Sequence, residues 1–144
     1  MGSYAQGAQK AGSTPGDSRD SGFAIYAKAV DIQAGGQASA DFTAYLPDGC
    51  EIVDILMDTV TAHTSASATL SVGTTLGGTE IAPATSVVSG GRVRPTFTAA
   101  QLTSMQSLVH TSGQSDTPVY LRLALGTPTS VGLTKAVLLF SPKL

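Results

Sequence analysis

The stretch Leu46-Pro47-Asp48-Gly49-Cys50-Glu51-Ile52-Val53-Asp54-Ile55-Leu56-Met57-Asp58-Thr59-Val60 constrains the fold more than any other part of the chain. Pro47 fixes its own φ, and Asp48 and Gly49 tolerate tight or left-handed backbone, so the stretch opens on a turn. The turn leads into an apolar run that suits an extended strand. Side chains alternate along such a strand, which puts Val53, Ile55 and Met57 on one face. Ile52, Asp54, Leu56, Asp58 and Val60 fall on the other. The first face is continuously apolar and the second mixes aliphatics with two carboxylates. This pattern predicts a central strand of a β-sandwich, with a core on one side and a polar or subunit-facing environment on the other.

The remaining segments repeat the theme at shorter length. Phe23 to Ile32 reads as a strand and Ala34-Gly35-Gly36-Gln37 as a turn. Ala38 to Leu46 is a second strand, with Phe42 and Ala44 facing one way and Thr43 and Tyr45 the other. His63 to Ser67 is a polar loop before a short strand from Ala68 to Val72. Leu76-Gly77-Gly78-Thr79 is a turn, with short β segments around Glu80 to Ala82 and Thr85 to Val88. Pro95 removes a ladder donor, so Arg92 to Phe97 is an edge strand or an irregular segment. Thr98-Ala99-Ala100-Gln101 fits a capping box and predicts a short helix near 99–107, with Leu102, Met105 and Val109 on its packed face. Thr111 to Thr117 reads as a polar loop. Val119, Leu121, Leu123 and Leu125 give the cleanest alternation in the chain. Leu133 to Phe140 is apolar on both faces, as expected of a central strand or one covered by another subunit. About eight short strands with one minor helix predict an all-β fold, an antiparallel β-sandwich of the jelly-roll type. The domain spans residues 22–144, preceded by a flexible Gly/Ser/Ala-rich arm over residues 1–21 that can order by lying across a neighbouring subunit.

A chain of 144 residues can bury a core without disulfide or metal staples. Charged residues make up 12% of it, about half the usual share of roughly 25%, and small or hydroxylated residues fill the gap. The net charge of −2 gives no concentrated basic face, so direct nucleic-acid binding is not expected. Arg92 and Arg94, the one close basic pair, read as a solvated edge. No apolar run is long enough for a membrane span and no secretory signal opens the chain, so a cytosolic product is expected. The single cysteine, Cys50, rules out an intrachain disulfide and reads as a small, partly buried residue.

No constellation of catalytic residues is visible. His63 and His110 fall in Ser/Thr-rich loops without further ligands at metal-binding spacing, so both read as exposed loop histidines. Asp54 and Asp58 share a strand face but stand about 13 Å apart by strand rise, too far for paired-carboxylate hydrolysis. They read as partners for Lys or Arg. There is no nucleophile elbow, and neither Gly77-Gly78 nor Gly90-Gly91 opens a phosphate-binding helix. Trp is absent and aromatics are 6%, which weakens a sugar-binding platform. The expectation is a protein that is not an enzyme, with no catalytic, cofactor-binding or metal-ligating residue and no cofactor.

The run Phe42-Thr43-Ala44-Tyr45-Leu46-Pro47-Asp48-Gly49-Cys50-Glu51-Ile52-Val53-Asp54-Ile55 resembles a pattern of tailed-phage virion proteins, in which a Pro-x-Gly turn precedes an aliphatic strand. Thr59-Val60-Thr61-Ala62, the segment Ala68 to Thr74, the segment Thr117 to Ala124 and the closing strand from Gly132 to Phe140 continue the likeness, over about residues 23–141. The resemblance implies a capsid decoration (cement) or head-fibre protein with a jelly-roll fold. It would be a homotrimer on the outer surface of the virion capsid, bound to the major capsid protein and stabilising the shell, with the N-terminal arm reaching over a neighbour. Two other readings remain open: a carbohydrate-binding or host-adhesion jelly roll, and a neck or tail component.

Overall fold

The computed structural model describes residues 24–108 and 116–142. Among these residues eight strands and one helix succeed one another: β1 (Tyr26–Gln33), β2 (Ser39–Pro47), β3 (Cys50–Thr61), β4 (Thr69–Gly73), β5 (Ala82–Ser86), β6 (Gly91–Val93), α1 (Ala99–Gln106), β7 (Asp116–Ala124) and β8 (Leu133–Pro142). They form two four-stranded sheets, ordered β1-β8-β3-β6 and β2-β7-β4-β5, in which every pairing is antiparallel. The pairs β1·β8, β2·β7, β3·β6 and β4·β5 nest inside one another like a single long hairpin. The added pairs β3·β8 and β4·β7 wrap that hairpin into a sandwich. This is a jelly roll.

The alternation in β7 explains its central place. Thr117, Val119, Leu121 and Leu123 are all buried, while the intervening Pro118, Tyr120, Arg122 and Ala124 face outward. β8 places Thr134, Ala136 and Leu138 inward against Ile32, Ile55 and Met57. Leu46, Leu70, Val72, Ile81 and Val87 complete the core, each at most 1% exposed.

β3 departs from strict alternation. A bulge between Ile52 and Asp54 puts one extra residue against β8, so the face changes parity there. Ile52 is therefore buried with Ile55 and Met57, and Val53 is 40% exposed rather than on the core face. The helix forms where its capping box lies. Thr98 accepts from the Gln101 amide, and the Gln101 side chain accepts from the Thr98 amide. Its docked face differs from the expected one. Gln101 and Met105 are buried, with Gln101 Nε2 donating to the Thr79 carbonyl, and Leu102 is 45% exposed. Val109 lies outside the described residues, as do the arm over residues 1–21 and most of the polar loop expected at 111–117. The two β segments expected around residues 80–88 merge into the single strand β5, flanked by buried Ile81 and Val87.

The topology sorts the connections to two ends. The β1–β2, β3–β4, β5–β6 and β7–β8 loops gather at one end. The β2–β3 turn, the β4–β5 loop, α1, the start of β1 and the finish of β8 lie at the other. Leu121, 0% exposed at the centre of β7, tests this packing. Leu121→Ala should lower the unfolding free energy by about 2–5 kcal/mol in urea titrations, whereas an outward-facing position such as Thr43→Ala should change it by roughly 0.5 kcal/mol or less.

Candidate interaction surfaces and a buried histidine

The outer face of the β1-β8-β3-β6 sheet carries a charge ladder. In register across the strands stand Asp31, Lys135, Asp58 and Arg92, alternating in sign. Arg92 holds Asp58 through two hydrogen bonds of 2.6 and 3.0 Å, and Lys135 lies 3.9 Å from Asp31. Hydrogen bonding to Arg92, reinforced by the charges of Arg92 and Lys135, holds the Asp58 carboxyl below the usual carboxylate range. Four residues along β3, Arg94 takes Asp54 at 2.8 Å. Between these pairs lie Ala29, Val137 and Leu56 in one row, and Ala27 and Leu139 continue the row of Asp54. Asp54 and Asp58 are thus partners of Arg94 and Arg92, an aliphatic patch lies between them, and the two arginines, 64% exposed, line the sheet edge.

On the other sheet, Asp41 and Arg122 are directly opposed and joined by bonds of 2.7 and 2.9 Å. The hydrogen bonds to Arg122 lower the Asp41 carboxyl. Gly77, with φ of +75°, lets the guanidinium lie over the β4–β5 loop, where a Cβ would collide with it. Glu80 organises that loop by accepting from the Thr74 amide and the Thr75 hydroxyl, both at 2.9 Å. A shallow groove beside it is lined by Thr74, Ser104, Ser107, Thr117, Pro118 and Tyr120.

Exposed apolar side chains concentrate at the end that holds α1 and the outer ends of β1 and β8. Among the described residues, six of the eight large exposed ones lie there: Ile25, Tyr26, Tyr45, Val53, Leu76 and Leu102. Ile25, Val53 and Leu102 line one groove with Ile52 and Met105. Tyr26 stacks at 5.8 Å on Phe140 beside a second groove, lined also by Pro47, Cys50 and Pro142. Cys50 is more deeply buried than its place beside a turn suggests, at 4% exposure, and burial pushes its thiol pKa up. It is therefore a poor nucleophile.

The loops at the opposite end carry no formal charge. None of the residues in its four loops, 34–38, 62–68, 87–90 and 125–132, is Asp, Glu, Lys or Arg. Its single titratable side chain is His63, and it is buried at 4% exposure rather than exposed as its Ser/Thr-rich surroundings suggest. Those hydroxyls are what make burial tolerable. His63 Nε2 lies 2.9 Å from Thr134 Oγ1, which lies 3.0 Å from Thr59 Oγ1, which donates to the Val87 carbonyl at 3.0 Å. Gly132, with φ of +140°, passes directly beside Nδ1, and a Cβ there would overlap the ring. Burial alone lowers the His63 pKa. His110 lies outside the described residues.

Among the described residues, no three His, Cys, Asp or Glu side chains are placed to hold a metal ion, and no helix is long and apolar enough to cross a membrane. No family model matches the chain, and neither a curated protein nor a solved structure emerges as a relative.

Two glycines with positive φ separate backbone strain from crowding. Gly36, at φ +81°, has open space where a Cβ would stand, and Gly132 has the His63 ring. Gly36→Ala should cost about 1 kcal/mol of stability, the left-handed penalty alone. Gly132→Ala should cost more, about 2–4 kcal/mol, because ring and backbone must also separate. Equal losses in urea titrations would contradict the close approach.

Proposed function

We propose that this protein is a structural, non-enzymatic virion component that binds the outer surface of a phage capsid as a homotrimer and stabilises it. The observation that carries the reading is the apolar end: Ile25, Tyr26, Val53 and Leu102 are 40–52% exposed beside the point where the chain enters the fold. A cluster of large apolar residues left in water is a mark of a protein contact surface. The charge ladder adds support. Its carboxylates already have basic partners, so docking against that sheet strands fewer buried charges, and the aliphatic patch beside it offers area for contact. The jelly roll agrees with this reading because capsid proteins use it, although lectins and cupins use it too and the fold alone does not decide.

On this reading the mechanism is mechanical. A trimer bridges neighbouring subunits of the major capsid protein, and each buried contact raises the cost of pulling them apart. The arm at residues 1–21 extends the contact across a neighbour. A second reading, a carbohydrate-binding module for host adhesion, draws on Tyr45 and Tyr120 on the outer face of the β2-β7-β4-β5 sheet and on the hydroxyl-lined groove beside Tyr120.

Co-sedimentation with capsids lacking the protein tests the proposal. The native chain should bind, and Leu102→Glu, at an exposed helical position, should weaken binding by about tenfold or more while leaving the melting temperature within a few degrees. Deleting residues 1–20 should weaken binding and preserve the fold. Full binding by both variants, or glycan binding without capsid binding, would overturn the reading.

A further inference from the structure

The hydrogen-bond chain under the loop end fixes where the protons sit. The Val87 carbonyl can only accept, so the Thr59 hydroxyl spends its proton there. Thr59 Oγ1 must then accept from Thr134, and Thr134 Oγ1, its proton also spent, must accept from His63 Nε2. Nε2 therefore carries a proton, and in the neutral imidazole the lone pair is on Nδ1. That atom is buried and meets no hydrogen-bond partner among the described residues. It faces the Gly132 backbone. Any added proton must go to Nδ1, where no group among the described residues accepts a hydrogen bond from it.

The same histidine lies where the loops are tied together. Its amide donates to the Val88 carbonyl, and the next amide, Thr64, donates to Val131. Ala34 donates to the Gly132 carbonyl, Gly36 to Thr129 and the Thr127 amide to Ser65 Oγ. The four loops thus meet around one ring.

We propose that His63 is an acid-sensitive latch: a proton arriving at Nδ1 drives the imidazole out to water, parts it from Gly132 and Thr134, and releases the segment 125–132 from the rest of the loop end. Among the described residues, no charged group faces the ring to offset the cost of that proton. The loops contribute none, Thr59 and Thr134 are the residues that β3 and β8 turn toward the ring, and β1 adds none on the inner face nearby. Asp31, Asp58, Arg92 and Lys135, the charges nearest on the packed strands, face outward and pair with one another. The folded pKa lies below the unfolded value of about 6.5, so the stabilisation is complete above that pH and is lost as pH falls beneath it. The lowered carboxylates Asp41, Asp58 and Glu80 lose their contribution only below about pH 5, so they add little in this window.

Urea titrations at pH 7.5 and 5.5 test the latch. The native folding equilibrium constant should fall between them, by up to about tenfold, because the unfolded imidazole takes up a proton more readily than the folded one. His110→Gln should keep that fall. His63→Gln, which retains an N–H donor and loses the basic nitrogen, should abolish it. Nitrogen chemical shifts of the native protein give a second readout that needs no variant: His63 should be the Nε2–H tautomer and should titrate below the unfolded imidazole. Hydrogen exchange tests the release itself. Protection of the Ala34 and Thr64 amides, which donate into 125–132, should fall by up to about tenfold over the same range, while the helical Leu102 amide, bonded to Thr98, should keep its own. An imidazole that titrates near 6.5, an Nδ1–H tautomer, a pH dependence that survives in His63→Gln, or unchanged protection at Ala34 and Thr64 would overturn the proposal.

Discussion

The whole architecture depends on the last two strands finding the first four. β8 must enter between β1 and β3, and β7 between β2 and β4, before either sheet is complete. Those pairings join residues near opposite ends of the chain, such as Tyr26 with Phe140 and Thr43 with Tyr120. Loop closure over such separations costs entropy before any contact repays it, so the closing strands have to be strongly apolar. β7 buries Val119, Leu121 and Leu123, and β8 buries Ala136 and Leu138 while setting Val137 and Leu139 on its outer face. Their hydrophobicity is a condition of closure, and the apolar outer row is its consequence.

Closure also decides what the two ends look like. Because the connections alternate between ends, four short loops with no formal charge collect at one of them. Both outer strand ends and the helix collect at the other. The loop end is stitched by backbone bonds and hydroxyls around His63, and the apolar end leaves Ile25, Tyr26 and Leu102 in water. A chain with so few charges places them in opposed pairs on the sheet faces: Asp41 with Arg122, Asp58 with Arg92, Asp54 with Arg94. Exposed pairs of this kind add little to stability. They leave the sheet faces nearly neutral.

The strands were legible because period-two alternation is a local signal, and α1 was legible because its capping box is written in four consecutive residues. What could not be read depends on partners distant in the chain. The bulge at Val53 shows only against the register of β8. The docked face of α1 turns on the Thr79 carbonyl, 22 residues away, which draws Gln101 inward and leaves Leu102 outside. His63 looked like a solvent-facing loop residue because Ser and Thr around it usually mark exposure. Its actual hydroxyl partner, Thr134, is 71 positions on, and the glycine that makes room for the ring is Gly132. Of the interaction surfaces, the mixed face of β3 with its two carboxylates was visible in the sequence, whereas the grouping of Ile25, Val53 and Leu102 was not.

If the protein is built to assemble on a capsid as a trimer, the mass of the purified chain, measured by light scattering during size-exclusion chromatography, is where that shows first. A stable particle near three times the 14.5 kDa chain is the expected result. A six- or twelve-subunit ring would contradict it and point to a neck or tail component, and a strict monomer at every concentration would remove the trimer on which the bridging mechanism rests.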